Sequence, residues 1–174
     1  MLEDGILKIG EYEEGDIDEI ICIERDSYPT PWSENLFRSE MTSPISRLLV
    51  GRTTQEERRK VVGYIVYWRV DDEIHLHNIA VRRDMRRKGI ATRLLIEAIR
   101  CSRLEGARWI TLEVRHSNLP AQRMYERFGF TVRGIRPGYY TDTKEDALIM
   151  WADLRLIPWG DSTGAVVAEK IIDE

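Results

Sequence analysis

Three groups of residues in this chain have types and spacing suited to chemistry. The first is a basic turn. Arg82, Arg83, Arg86, Arg87 and Lys88 put five cations within seven residues, and Gly89, Ile90, Ala91 and Thr92 follow directly. Where a turn feeds a helix, the free N–H groups and the positive end of the dipole attract an anion. Gly89 has no Cβ, so a ligand can approach the backbone there, and Ala91 is nearly as small. The combination suits a pyrophosphate, although an exposed charged turn ahead of a core helix has the same composition. The glycine spacing fits neither the dinucleotide fingerprint nor the P-loop. The second group is a candidate proton acceptor, Glu113, and a candidate proton donor, Tyr125. The third is aromatic: Tyr28 with Trp32, and Tyr139 with Tyr140, which read either as packing or as a lid over a ligand.

The elements that must position these residues follow from periodicity. Ile90, Ala91, Leu94, Leu95, Ala98 and Ile99 recur along one face of a 3.6 period, which predicts a helix from Gly89 to Arg103, with Gly106 as its stop. The segment 73–81 reads as the strand before it. Residues 6–12 predict a first strand. Asp16 is placed as the cap of a helix carrying Ile17, Ile20, Ile21 and Glu24, which Tyr28-Pro29-Thr30-Pro31-Trp32 ends. Ser33 is the expected cap of a short helix with Leu36, Phe37 and Met41. Leu48 to Val50 and Val61 to Val70 read as strands around a charged hairpin tip, Gln55 to Lys60. In 108–115, Ile110, Leu112 and Val114 share one face, with Trp109, Thr111 and Glu113 on the other. That pattern also fits a glutamate at a solvated strand edge. Asn118 is the expected cap of a helix from Leu119 to Phe128, ended by Gly129. Tyr125 shares a face with Ala121 and Phe128, so it also reads as a core tyrosine. Phe130 to Val132 and Ala147 to Trp151 close the pattern as strands, linked by a loop from Arg136 to Asp142.

The resulting order, β-α-α-β-β-β-α-β-α-β-β, predicts an α/β domain: a mixed central sheet with helices on both faces. The domain spans residues 1–154, with 155–174 as an extension whose Trp159, Val166, Val167 and Ile171 could dock it. In such sheets ligands lie at strand carboxyl ends where chain direction switches. The basic turn and Glu113 both follow such ends, so one cleft is expected.

The composition bounds the partners. With 26 Lys and Arg against 30 Asp and Glu, the net charge is −4. The chain as a whole is not built to coat nucleic acid, and no direct nucleic-acid binding is expected. No apolar run reaches the ~20 residues of a membrane span, so no membrane partner is expected. The acidic N-terminus lacks signal-peptide character, and Cys22 and Cys101 read as free thiols, which together predict a cytoplasmic location. His75 and His77 point to one side of their strand and could form half a metal site with His116. No further ligands stand at zinc-like spacing, so no metal is expected.

Six stretches in order carry a family resemblance: Pro31-Trp32-Ser33; Leu76 to Val81; Arg86-x-x-Gly89-x-Ala91; Leu112-Glu113-Val114-Arg115-x-Ser117-Asn118; Tyr125-Glu126-x-Phe128-Gly129-Phe130; and Tyr139-Tyr140 with Glu145-Asp146-Ala147-x-Ile149-Met150. Over residues 6 to about 154 the chain resembles the GNAT N-acetyltransferases, and within them the type that acetylates the N-terminal alanine of a small-subunit ribosomal protein. The resemblance implies acetyl-coenzyme A as co-substrate and a ribosomal-protein N-terminus as partner. It gives the arm of the coenzyme to the backbone of Ile79, Ala80 and Val81. It gives the pyrophosphate to Arg86, Arg87, Lys88, Gly89, Ile90, Ala91 and Thr92, with Asn118 as a further contact. Glu113 takes the role of proton acceptor and Tyr125 that of proton donor. Trp32, Tyr139 and Tyr140 are the expected peptide-end contacts on the residue reading alone, with packing as the alternative. The tail after Leu154 lies outside it.

That chemistry has definite requirements. An α-amine with pKa about 7.7–8.0 loses its proton at pH 7 for ~1 kcal/mol, against ~4.6 kcal/mol for a lysine, so a carboxylate acting directly or through water suffices. A thiol near ~8.5 can be protonated on leaving by a tyrosine near ~10 if the site lowers that value. Neither cysteine falls in a site motif, which points to direct attack on the thioester. Rival readings are an acetyltransferase for another N-terminus or a small amine, an RNA-binding turn, and a non-catalytic acyl-coenzyme A sensor.

Overall fold

The computed structural model describes residues 6–55 and 58–157. Among them the elements are β1 (Lys8–Glu11), α1 (Ile17–Ser27), α2 (Glu34–Thr42), β2 (Ser46–Gln55), β3 (Arg58–Val70), β4 (Glu73–Val81), α3 (Ile90–Leu104), β5 (Trp109–Arg115), α4 (Leu119–Arg127), β6 (Thr131–Tyr140) and β7 (Glu145–Asp153). This is the order expected from the sequence. The strands form one mixed sheet, β1-β2-β3-β4-β5-β7-β6, in which β4 and β5 run parallel and the β1/β2, β2/β3, β5/β7 and β6/β7 pairs run antiparallel. The described residues divide into two compact units, one within Met1–Trp68 and Asn78–Ala98, the other within Arg69–His77 and Ile99–Glu174.

In the first unit the apolar stripe of α1 makes the core. Ile17, Ile20, Ile21 and Ile23 are buried with Phe37, Val50, Val61, Tyr64, Val66 and Ala80, and Tyr12, Tyr28, Trp32 and Met41 pack against that cluster. Burying an isoleucine contributes about 1.5–3 kcal/mol, so this stripe sets where α1 lies. Ser33 caps α2 as expected, its hydroxyl accepting from the Leu36 N–H at 3.2 Å. Asp16 occupies the cap position of α1 but makes no side-chain cap bond. Its buried carboxylate instead accepts from Arg52 Nε (3.1 Å), from Arg52 Nη2, from Arg59 Nη2 (3.2 Å) and from the Glu13 N–H (2.8 Å). An ion pair across 36 residues outcompetes the local cap.

In the second unit β5 pairs with β7 along its whole length, from Trp109↔Asp153 to Arg115↔Ala147. Ile110, Leu112 and Val114 of β5 and Leu148 and Met150 of β7 are buried, as are Met124, Tyr125, Phe128 and Phe130. Asn118 Oδ1 accepts from the Ala121 N–H at 3.3 Å and caps α4. Gly129 ends α4 at φ 81°, a left-handed conformation that favours glycine.

Two further expectations need correction. The segment Arg136 to Tyr140 is strand, and the hairpin turns later, at 141–144. Pro137-Gly138 has the composition of a turn, but β6 is the last strand of the sheet, where a proline need not donate. Between the pairs Arg136↔Ala147 and Tyr140↔Glu145 the register shifts, so β6 absorbs the two residues in a bulge. β2 and β3 extend well beyond the expected strands into the charged segment, to the pair Gln55↔Arg58. Residues 56–57 of the hairpin tip, and Trp159, Val166, Val167 and Ile171 of the extension, lie outside the described residues. Of the extension's first residues, Ile157 is buried and its carbonyl accepts from Arg103 Nη1 at 3.4 Å.

Candidate active site

The first unit carries the end of β4, the basic turn and the start of α3. Residues Arg83–Met85 make one 3-10 turn pinned by buried Met85. Arg86 braces the turn, donating from Nε to the Val81 carbonyl (3.0 Å) and from Nη2 to Ser27 Oγ (3.0 Å). Arg87 and Lys88 are exposed, and Lys88 Nζ is 3.6 Å from Met85 Sδ. Arg87 (φ 66°) and Gly89 (φ 72°) are both left-handed on either side of Lys88. Alternation of this kind turns successive N–H groups inward as an anion-binding nest. The Arg93 N–H bonds the Gly89 carbonyl at 3.0 Å, which closes the first helical turn. The N–H groups of Ile90, Ala91 and Thr92 therefore precede the α3 ladder, at the positive end of a 15-residue helix. These residues fit a pyrophosphate.

Glu24 organises the rest of this unit's polar interior. Its carboxylate is buried and accepts from the Trp32 N–H (2.7 Å), from the Tyr64 hydroxyl, and from Asn78 Nδ2 (3.1 Å). The Tyr28 hydroxyl donates to the Ile79 carbonyl at 2.5 Å. The loop after α1 is thus tied to β4 beside Ile79, Ala80 and Val81. Trp32 packs its ring on Phe37, with centroids 5.4 Å apart, so its packing role is plain.

The second unit carries Glu113, Asn118, Tyr125, Tyr139 and Tyr140. Glu113 is half-buried on β5, on the face opposite Ile110, Leu112 and Val114, as expected. Its Oε1 is 3.2 Å from Arg136 Nη2, and its backbone carbonyl accepts from the Tyr140 hydroxyl at 3.4 Å. Tyr139 and Tyr140 meet edge to face at 5.2 Å. Burial pushes the Tyr140 phenol up to about 12, against the opposing pull of Arg115. Tyr125 is buried against Phe130, with centroids 5.5 Å apart. Burial, with Tyr140 adding to it, pushes its phenol well above 10. The lowered value that proton donation to a thiolate would favour is therefore not found, because among the described residues no cation offsets the desolvation of the ring. Asn118 is engaged as a helix cap. His75 Nε2 is 3.2 Å from Glu73, and among the described residues no group of three or more His, Cys, Asp or Glu could hold a metal.

So the structure joins Glu113 to Tyr140 and Tyr139 to Tyr140, and gathers residues 86–92 at the turn into α3. Sequence reasoning missed Glu24, Arg115 and Arg136. A carboxylate within the apolar stripe of α1 was the signal for Glu24, since a buried charge must be paired. Arg115 lies inside the Leu112–Asn118 motif without a distinguishing signal of its own, and Arg136 opens the segment whose Pro137-Gly138 reads as a loop. Chemically, the first unit offers a phosphate cradle. The second offers a carboxylate within reach of a cation and a phenol that stays protonated at neutral pH.

Similarity to known proteins agrees with these parts. Residues 17–130 match the model of the acetyltransferase (GNAT) family, whose members use acetyl-coenzyme A. The chain is 38% identical over 140 residues to a Bacillus subtilis protein named a putative ribosomal protein bS18-alanine N-acetyltransferase, covering 80% of this chain and 90% of that one. It is 37% identical over 144 residues to the Escherichia coli K12 ribosomal protein bS18-alanine N-acetyltransferase, covering 82% and 94%. The crystal structure of the ribosomal-protein-S18-alanine N-acetyltransferase from Escherichia coli superposes with a TM-score of 0.77 at 33% identity, covering 90% of this chain and 98% of that one. No helix among the described residues is long and apolar enough to cross a membrane. A turn at the start of α3 that fits a phosphate, this order of strands and helices, and a family match over residues 17–130 lead to one conclusion: the chain belongs to the GNAT family of acetyltransferases.

Proposed function

We propose that this enzyme acetylates the N-terminal α-amine of a protein, with the N-terminal alanine of ribosomal protein bS18 as its substrate, in the cytoplasm. The names of its relatives support the substrate. The observation that carries the chemistry is the half-buried Glu113 carboxylate, which already holds a cation, Arg136, at 3.2 Å. An α-ammonium is a cation of similar demand. We also take residues 1–154 as the catalytic domain and 155–174 as an extension to it.

In this reading the nest at Arg87–Gly89 and the first-turn N–H groups of α3 hold the pyrophosphate, and Arg86 keeps that turn in shape. Ile79, Ala80 and Val81 carry the arm, and Asn118 adds a contact. The thioester supplies the acetyl group, and attack by the amine exchanges its C–S bond for an amide C–N bond. Glu113 takes the ammonium proton, directly or through water, which costs ~1 kcal/mol at neutral pH. Tyr125 presents its phenol hydrogen to the departing sulfur. Its pKa lies above the ~8.5 of a thiol, so it stabilises the thiolate by donating a hydrogen bond rather than by full transfer. Trp32, Tyr139 and Tyr140 line the peptide end. Neither Cys22 nor Cys101 takes part, so no acyl-enzyme forms.

A panel of peptides that vary in the first residues tests the assignment. Turnover with the bS18 N-terminal sequence is expected to exceed that with other N-termini and with free amines. Equal rates across the panel, or a preference for a small amine, would overturn it.

A further inference from the structure

We infer that Arg115 is a positioning residue for the acetyl-transfer reaction: it clamps the β6–β7 hairpin against the end of β5 and so fixes Tyr139 and Tyr140 for the incoming peptide. The inference rests on the function proposed above.

The β5/β7 ladder ends at Arg115↔Ala147, and the β6/β7 ladder has Tyr140↔Glu145 as its outermost pair. Beyond Arg115 the strand pairing stops: the His116 N–H still bonds the Asp146 carbonyl at 3.1 Å and the Ser117 N–H the Glu145 carboxylate at 2.5 Å, but neither reaches the turn residues 141–144. Arg115 takes over at that point. Its guanidinium donates to both carboxylate oxygens of Asp142, at 2.7 and 3.1 Å, and to Thr143 Oγ1 at 2.8 Å. Asp142 and Thr143 belong to the turn itself. The guanidinium carbon also lies over the Tyr140 ring at 3.9 Å from its centroid. One side chain thus holds the turn by a bidentate fork and the ring by its face, a combination that suits arginine and not lysine. The carboxylate it grips is correspondingly shifted: hydrogen bonding from Arg115 holds Asp142 below its usual range.

The same tip bears the bulge that aims the two tyrosines. Three residues, Pro137 to Tyr139, face one, Asp146, whose side chain accepts from the Gly138 N–H at 2.8 Å. A bulge re-aims side chains but leaves the strand locally short of ladder bonds, so its orientation depends on what holds the tip. Arg115 stands two residues after Glu113 on β5, and the Tyr140 hydroxyl returns to the Glu113 carbonyl at 3.4 Å. Clamp, ring and proposed base therefore form one connected set within the second unit.

The test compares wild type with Arg115→Ala, Arg115→Lys, Asp142→Ala and the Arg115→Ala/Asp142→Ala double variant, by steady-state kinetics and by hydrogen exchange of the amides of residues 138–146. Arg115→Ala should raise the KM for an alanine-starting peptide about tenfold, the loss of one strong charge-assisted contact set. The KM for acetyl-coenzyme A should not change, and kcat should fall by no more than about threefold. Arg115→Lys should restore little, and the double variant should match Arg115→Ala, because Asp142 acts through the guanidinium. Exchange at 138–146 should quicken in Arg115→Ala. Unchanged exchange, or a fall in kcat with both KM values moved alike, would overturn the clamp. A wild-type enzyme inactive on every peptide would instead sink the functional reading, and the exchange measurement would still decide whether Arg115 holds the hairpin.

Discussion

Gly63 stands where β3 passes the strand proposed to carry the coenzyme arm, and replacing it by alanine gives the structure a quantitative trial. A Cβ built on Gly63 would lie 2.8 Å from the Ala80 carbonyl oxygen, 3.2 Å from Leu94 Cδ1 and 3.3 Å from Val81 Cγ2. The nearest of these is backbone, so no rotamer change relieves it. Two effects oppose each other. Alanine restricts the unfolded chain and stabilises by about 0.4–1 kcal/mol where the backbone allows it. Overpacking a close contact in a core costs about 1–3 kcal/mol. Here the contact is with a carbonyl of a paired strand and the pocket is closed by Leu94 and Val81, so overpacking should win by about 1–2 kcal/mol. At about 2–4 °C per kcal/mol for a chain of this size, the Tm should fall by about 2–8 °C. Because the displaced atoms are those of Ala80 and Val81, the KM for acetyl-coenzyme A should rise while the KM for peptide holds. Thermal unfolding and steady-state kinetics read both. A Gly63→Ala protein as stable as wild type, with an unchanged KM for acetyl-coenzyme A, would refute the close approach of β3 to β4.

Glu113→Gln should lower kcat, most strongly below pH 8, where the amine is protonated; a pH-independent loss in the rate profile would argue against a base. Tyr125→Phe should slow turnover at least about tenfold with little change in acetyl-coenzyme A affinity by calorimetry, and an unchanged kcat would remove the phenol from the reaction. Asp16→Asn leaves buried Arg52 without its buried counter-charge, while half-exposed Arg59 keeps Glu13 at 2.8 Å, so unfolding should become easier by about 3 kcal/mol, the low end for a broken buried pair. The pH dependence has a definite sign. Burial pushes the Asp16 carboxyl up, but the hydrogen bonds from Arg52 and the Glu13 N–H, with the charges of Arg52 and Arg59, bring it below its ordinary value. Its contribution is then complete above the unfolded value of about 3.9 and is lost as pH falls through the lower folded value. Acid unfolding curves of wild type and Asp16→Asn should converge at low pH; a constant gap would contradict the pairing.

The parts legible in the sequence are those set by local rules. The α3 stripe, the limits of β4, and the caps at Ser33 and Asn118 each depend on residues within one or two turns, and each was found where expected. What was illegible depends on distant partners. Asp16 has the composition of a cap, but Arg52 takes its carboxylate. Pro137-Gly138 reads as a turn until β7 pairs alongside and makes it a bulged edge strand. The raised Tyr125 phenol follows from complete burial, which a helical period places on the inner face without saying how dry that face is. The turn into α3 is legible in charge and glycine, but not the bracing role of Arg86, which depends on Ser27, 59 residues earlier.

The most direct measurement is a single turnover with acetyl-labelled coenzyme A and an alanine-starting peptide, stopped in time and separated into protein and peptide. The account predicts label on the peptide α-amine and none held covalently by the protein at any time. Label found first on the protein, or peptide that stays unlabelled while the wild-type chain binds acetyl-coenzyme A, would contradict it.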